Sequence, residues 1–120
     1  MKKVIAIAIL LIGFAFQANA QEVKTVALEQ TKGEFTQKSL TLSEGTYVFE
    51  IANNEVGHDV GFVLAPKGKT DQKHHIQNAY VTSLVKNNSK STSKEVKLAK
   101  GEYVYFCPLN PTPQYTLTVN

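Results

Sequence analysis

The sequence predicts an all-β domain folded as a two-layer sandwich, and three observations carry the prediction. About seven short apolar stretches are separated by turn signals every eight to twelve residues. The clearest of them alternates strictly: Tyr47, Phe49 and Ile51 fall on one face and Thr46, Val48 and Glu50 on the other, the period of a half-buried strand. Only one segment, residues 71–86, carries a helix-like spacing.

The first twenty residues are set apart from this pattern. Lys2 and Lys3 precede an apolar run at residues 4–16, and Ala18-Asn19-Ala20 supplies the small-x-small pattern of a signal-peptidase site. Residues 1–20 therefore read as a signal peptide, with Gln21 opening the mature chain. The run is short and lacks a stop-transfer flank, and no cysteine stands at the cleavage point, so no membrane span or lipid anchor is expected to remain. A periplasmic or secreted destination follows. Residues 21–120 form one domain, large enough for a single modest core.

Along that domain, residues 23–28 form the first apolar stretch, and Thr31-Lys32-Gly33 breaks it. Residues 35–42 follow and close at Ser43-Glu44-Gly45; the alternating strand then occupies residues 46–52. After Asn53-Asn54 a continuous apolar stretch runs over residues 59–65 and stops at Pro66-Lys67-Gly68-Lys69. Ile76, Tyr80 and Leu84 recur every four residues behind Asp71, a good helix-capping residue, which predicts a short helix within residues 71–86. Residues 87–94 read as a polar loop. Strands follow at residues 96–98, 103–107 and 115–119, and Pro108, Pro111 and Pro113 forbid regular structure between the last two.

Composition removes several function classes. The formal charge is +3, but Lys2 and Lys3 belong to the leader, so the mature chain is close to neutral; all thirteen basic residues are lysine. A nucleic-acid binder would carry a basic stripe, usually with arginine. The lysines are scattered and read as solvated surface rather than a docking patch. There is no nucleophile elbow, phosphate loop, metallohydrolase histidine spacing or convincing carboxylate pair, so no enzyme is predicted. An immunoglobulin-type sandwich would usually carry a cysteine pair and a core tryptophan; the chain has one cysteine and no tryptophan.

The single cysteine, Cys107, cannot form an internal disulfide in an oxidising compartment. It shares parity with Tyr103 and Tyr105 and so points into the sandwich. A buried free cysteine is either a small hydrophobe or a chemically employed thiol, and both readings stand at this stage.

Three segments resemble the cupredoxin, or blue copper, family in its small plastocyanin- and amicyanin-like form. Residues 42–53 are similar to the family's turn glycine, strand and closing asparagine. Gly57-His58-Asp59-Val60-Gly61-Phe62 looks like the segment that supplies a first histidine ligand, and Gly101-Glu102-Tyr103-Val104-Tyr105-Phe106-Cys107-Pro108 like the strand that delivers the cysteine ligand. The resemblance spans most of residues 33–120. It implies a Greek-key sandwich with one short helix insert, holding one copper ion in a trigonal cysteine and histidine set with a weak axial donor. Copper handling or electron transfer with a redox or copper-donor protein is what it implies for function.

The loop after Cys107 departs from that pattern. Where the family commonly reads Cys-x-x-His and then a methionine, Asn110 stands three residues after Cys107 and no methionine follows. The resemblance leaves His58 and Cys107 as anchors, Asn110 as a weak or indirect contributor and Gln114 as the candidate axial oxygen donor, Pro113 taking that place if the loop is counted differently. Each has a plainer role: Asn-Pro favours a turn, Gln114 can hydrogen-bond the loop, and His58 can sit on the surface bonding a carbonyl. His74 and His75 are adjacent on the expected helix, diverge by about 100° there, and read as solvated unless one swings over the Cys107 loop. Asn87-Asn88-Ser89 matches a glycosylation acceptor pattern that also arises by chance. Two functional classes remain: a copper protein with an altered site, and a metal-free cupredoxin scaffold serving as a binding or structural module.

Overall fold

The computed structural model describes residues 22–120; the expected signal peptide lies outside the described residues. Among the described residues nine strands make two sheets: β1 (Val23–Thr31), β2 (Glu34–Phe35), β3 (Ser39–Leu42), β4 (Gly45–Asn53), β5 (Val63–Pro66), β6 (Lys90–Thr92), β7 (Val96–Leu98), β8 (Gly101–Phe106) and β9 (Tyr115–Val119). One sheet runs β2-β1-β4, with β6 and β7 both antiparallel along the far edge of β4; the other runs β3-β9-β8-β5. Each sheet contains one parallel pairing: β1 with β4 from Val23↔Thr46 to Gln30↔Asn53, and β3 with β9 from Ser39↔Thr116 to Leu42↔Val119. This is the predicted all-β sandwich.

The alternation in β4 is met in the structure: Tyr47, Phe49, Ile51 and Asn53 are buried and their neighbours half-buried. The inner faces enclose an aromatic cluster in which Phe35 stands edge-on to Tyr105 at 5.2 Å, Tyr115 at 5.8 Å and Phe62 at 6.1 Å. Offset and edge-on rings gain attraction beyond their buried area.

Four expectations change. The stretch over residues 35–42 divides, because Phe35 ends a strand of one sheet and Ser39 begins a strand of the other. The crossing is held by Gln37, whose carbonyl accepts the Tyr105 hydroxyl at 2.6 Å and whose Oε1 accepts the Glu29 N–H at 2.9 Å. Residues 59–65 form a regular strand only from Val63. The Gly61 N–H goes to the Cys107 sulfur and its carbonyl to Gln30, which takes both groups out of any ladder. The polar loop at residues 87–94 contains β6, a strand on an outer edge whose exposed face carries no apolar signal.

The largest change is at residues 71–86, where the expected helix is replaced by two 3₁₀ turns, Gln72–His74 and Gln77–Ala79. Asp71 does not cap a helix; its Oδ1 pairs with His74 Nδ1 at 2.7 Å. The Ile76 N–H donates to the Leu64 carbonyl of β5 rather than back along a helix, and Val81 and Val85 form bridges with Ser93 and Val60. Tertiary partners claim the backbone groups that a helix would need.

Tyr105 is wholly buried, and burial, with the neighbouring Tyr115 adding to it, pushes its phenol up to about 12. The folded value lies above the usual phenol value of about 10, so neutral Tyr105 supports the fold fully below pH 10 and that support is lost as pH climbs through 12. Alkaline titration followed at once by circular dichroism and phenolate absorbance should show unfolding coincident with late tyrosine ionisation. Tyr105→Phe should move that unfolding to higher pH; an unchanged alkaline midpoint would count against the assignment.

Candidate functional site

The residues of interest gather at one end of the sandwich, where β8 stops and its chain turns into the proline-rich loop leading to β9. Cys107 sits one residue beyond β8, still on its inward parity, and is 1% exposed. Its sulfur receives two backbone N–H groups, from Gly61 and Asn110, each at 3.3 Å. The loop closes on itself through the Cys107 N–H to Thr112 Oγ1 (3.1 Å) and the Thr112 N–H to the Cys107 carbonyl (3.4 Å).

Asn110 meets Cys107 through its backbone, while its side chain points elsewhere. The carboxamide is buried, 3% exposed, and fully engaged: Nδ2 donates to Gln30 Oε1 at 3.1 Å and to the Thr31 carbonyl at 2.8 Å, and Oδ1 accepts the Gly33 N–H at 2.7 Å. Gln30 is itself fully buried and donates from Nε2 to the Gly61 carbonyl at 2.8 Å. Residue reasoning passed over Gln30, yet its parity marks it. Val26, Leu28 and Gln30 share the buried face of β1, and a polar residue at an inward position calls for a buried polar partner.

His58 lies on the surface. Its Nδ1 bonds the Asp59 carbonyl at 2.9 Å, and since that oxygen can only accept, Nδ1 carries the proton. The segment is anchored by Asn53, whose Nδ2 donates to the His58 and Val85 carbonyls at 2.8 and 3.0 Å while Oδ1 accepts the Val56 N–H at 3.1 Å. Within residues 57–60 the buried side chain is Val60, at 0% exposure, and not His58. Gln114 is exposed. His74 pairs with Asp71, which holds the Asp71 carboxyl below its usual range. His75 is tied to Tyr80 Oη at 2.7 Å and the Thr70 carbonyl at 2.9 Å, so neither histidine completes a set around Cys107.

Of the four residues expected to hold copper, the fold thus brings Cys107 and Asn110 together and leaves His58 and Gln114 on the surface. Among the described residues no three of histidine, cysteine, aspartate and glutamate are grouped to hold a metal. A trigonal copper site needs soft thiolate and imidazole donors. The amide in the histidine position is committed to three other partners and His58 lies on the surface, so the residues around Cys107 do not supply the donor set that copper needs.

Beside this loop the surface is apolar. Leu84 and Leu109 are 52% and 47% exposed and flank Gly61, and with Phe62, Val63, Tyr80, Val81 and Pro108 they line a shallow depression of about 290 Å³.

Neither a protein-family model nor a curated protein sequence matches the chain. Among solved structures it is similar to auracyanin A, a "blue" copper protein from the green thermophilic photosynthetic bacterium Chloroflexus aurantiacus, at 19% identity and a TM-score of 0.67, covering 82% of this chain and 100% of that one. It is also similar to auracyanin B, at 20% identity and a TM-score of 0.63 over 81% and 88% of the two chains. The azurin Az-iso2 of Methylomonas sp. strain J aligns at 18% identity and a TM-score of 0.55, over 80% and 97%.

Proposed function

We propose that this chain, whose fold is that of the cupredoxins, works as an exported, metal-independent binding module rather than as a copper carrier. The observation that carries the reading is Asn110, in the histidine position, which turns its side chain away from Cys107 to bond β1 and the turn after it. It offers no second soft or imidazole donor to a metal. Cys107 then acts as a small buried hydrophobe that accepts two weak bonds, the plainer of its two roles. A binding module needs an exposed contact surface, and the apolar end around Leu84 and Leu109 supplies one.

The competing reading places one copper ion between Cys107 and His58 for copper handling or electron transfer with a redox or copper-donor protein. Metal analysis separates the two. The full chain, expressed with its leader in an oxidising compartment supplied with copper, is purified and assayed for bound metal, thiolate-to-copper absorption and competition for Cu(I). The expected result is no stoichiometric copper and no charge-transfer band, with Cys107→Ser indistinguishable in metal content and lower in stability by about 1 kcal/mol. Stoichiometric copper that disappears in Cys107→Ser would overturn the metal-independent reading.

A further inference from the structure

The loop that follows Cys107 is poor in means of holding itself. Pro108, Pro111 and Pro113 have no N–H to give. Among the described residues, the bonds within the loop are the Asn110 N–H on the Cys107 sulfur, the Cys107–Thr112 pair and the local bond from the Thr112 hydroxyl to the Pro113 carbonyl. The connection of this loop to the opposite sheet runs through the Asn110 carboxamide, which reaches Gln30, Thr31 and Gly33 across about eighty positions of sequence. Gln30 extends the connection to Gly61, and Gly61 returns it to the Cys107 sulfur. Three separate segments (the end of β1 with its turn, the stretch before β5, and the proline-rich loop) therefore meet at two buried carboxamides.

We infer that the Gln30–Asn110 amide pair is a clasp that holds the proline-rich loop in place, doing mechanically what a metal bound at this end of the fold would do. The inference deepens the metal-independent reading and rests on it only for the comparison with a metal. The residue type follows from the geometry. A carboxamide donates two bonds and accepts at least one from a single planar group, whereas imidazole has two nitrogens and a carboxylate has no donor. Gly33 completes the fit: at φ +76° it takes the left-handed turn that aims its N–H at Asn110 Oδ1. Pinned by buried Cys107 on one side and buried Asn110 on the other, Pro108 and Leu109 are held outwards. The clasp thus fixes the apolar contact surface in a preset shape, which lowers the ordering cost of any association there.

Hydrogen exchange tests this on the mature chain, residues 21–120, without metal and with Cu(I) added. Gly33 lies in an exposed turn, yet its amide is expected to exchange roughly a hundredfold more slowly than an unstructured amide, equally with and without Cu(I). A freely exchanging Gly33, or protection that appears only with Cu(I), overturns the clasp. Asn110→Asp supplies a second readout that packing alone would not move. Its carboxylate would face the Gln30 and Thr31 oxygens with no proton to share, and the side-chain partners there are uncharged. The folded pKa of the new group must then lie above the unfolded value of about 3.9, so protonation favours the closed loop. The loop-opening equilibrium of the variant should shift back by about tenfold between pH 7 and pH 4, with Asn110→Ala showing no such recovery. Parallel behaviour of the two variants at both pH values counts against the clasp. Should neither variant fold, Gly33 exchange in the unsubstituted chain still decides. Copper binding together with metal-free protection of Gly33 would remove the functional reading and leave the clasp standing.

Discussion

Phe35→Ala is expected to destabilise the domain by about 3–5 kcal/mol, the range found when a fully buried aromatic is removed from a core. Phe35 has 0% exposure and belongs to β2 in one sheet, while Tyr105 and Tyr115, whose rings it meets edge-on, belong to β8 and β9 in the other. Removing it deletes a ring that bridges the two sheets and opens a cavity that three other aromatic rings cannot collapse into without leaving their own contacts. Small domains have about 5–15 kcal/mol of stability in total, so the variant should be close to unfolding at room temperature. The urea midpoint is the measurement, with the slope unchanged if the denatured state is unaltered. A loss under about 1 kcal/mol would mean that the sheets are not joined through this cluster. The Cys107 end would suffer with the core, since Tyr105 and Tyr115 flank the two ends of its loop.

Asn53→Ala should cost about 3 kcal/mol, from a different cause. The side chain is 2% exposed and satisfies three backbone groups, the carbonyls of His58 and Val85 and the N–H of Val56. Alanine would leave the buried Val56 N–H without its partner and strip the His58 carbonyl of its donor, while the Val85 carbonyl keeps the Val60 N–H; a group left unpaired costs about 1–3 kcal/mol before relaxation and water entry reduce the sum. Residues 54–60 should then loosen ahead of the rest of the domain, seen as selective loss of hydrogen-exchange protection at Val56 and Val60. Asn53→Asp keeps the acceptor for Val56 and loses both donors, so it should recover only the Val56 protection. Uniform loss of protection over the whole domain in Asn53→Ala would show that Asn53 supports the core rather than this segment. The distinction matters for function, because residues 54–60 carry His58 and lead directly into Gly61, one of the two donors to the Cys107 sulfur.

Asn53 and Asn110 show where residue-level reading reaches its limit. Both interrupt apolar patterns and both look like turn residues, and in the structure each organises a buried crossing of chain segments. Gln30 behaves in the same way. Their roles depend on partners far away in sequence, and a hydrogen bond between distant residues leaves no periodic trace along the chain.

What the sequence determined by itself is whatever burial writes locally. The alternation of Tyr47, Phe49 and Ile51 specified which face of β4 is inward, because successive side chains of a strand point to opposite sides. The same parity placed Tyr105 and Cys107 inside, and the prolines kept the following loop irregular. The all-β sandwich and the burial of the lone thiol follow from these patterns. Only the tertiary structure decided the rest. Ile76, Tyr80 and Leu84 keep a helical spacing, yet Ile76 and Tyr80 are half-buried and Leu84 is exposed, because β5 claims the Ile76 N–H before a helix can. His58 stands in a ligand-like segment, yet the chain path set by Asn53 leaves it on the surface and brings Val60 inside. Asn110 reads as a turn residue from its neighbours, and becomes the centre of a clasp only when β1 is folded against it. Local pattern records how much of a side chain meets water; which group it meets instead is a property of the assembled fold.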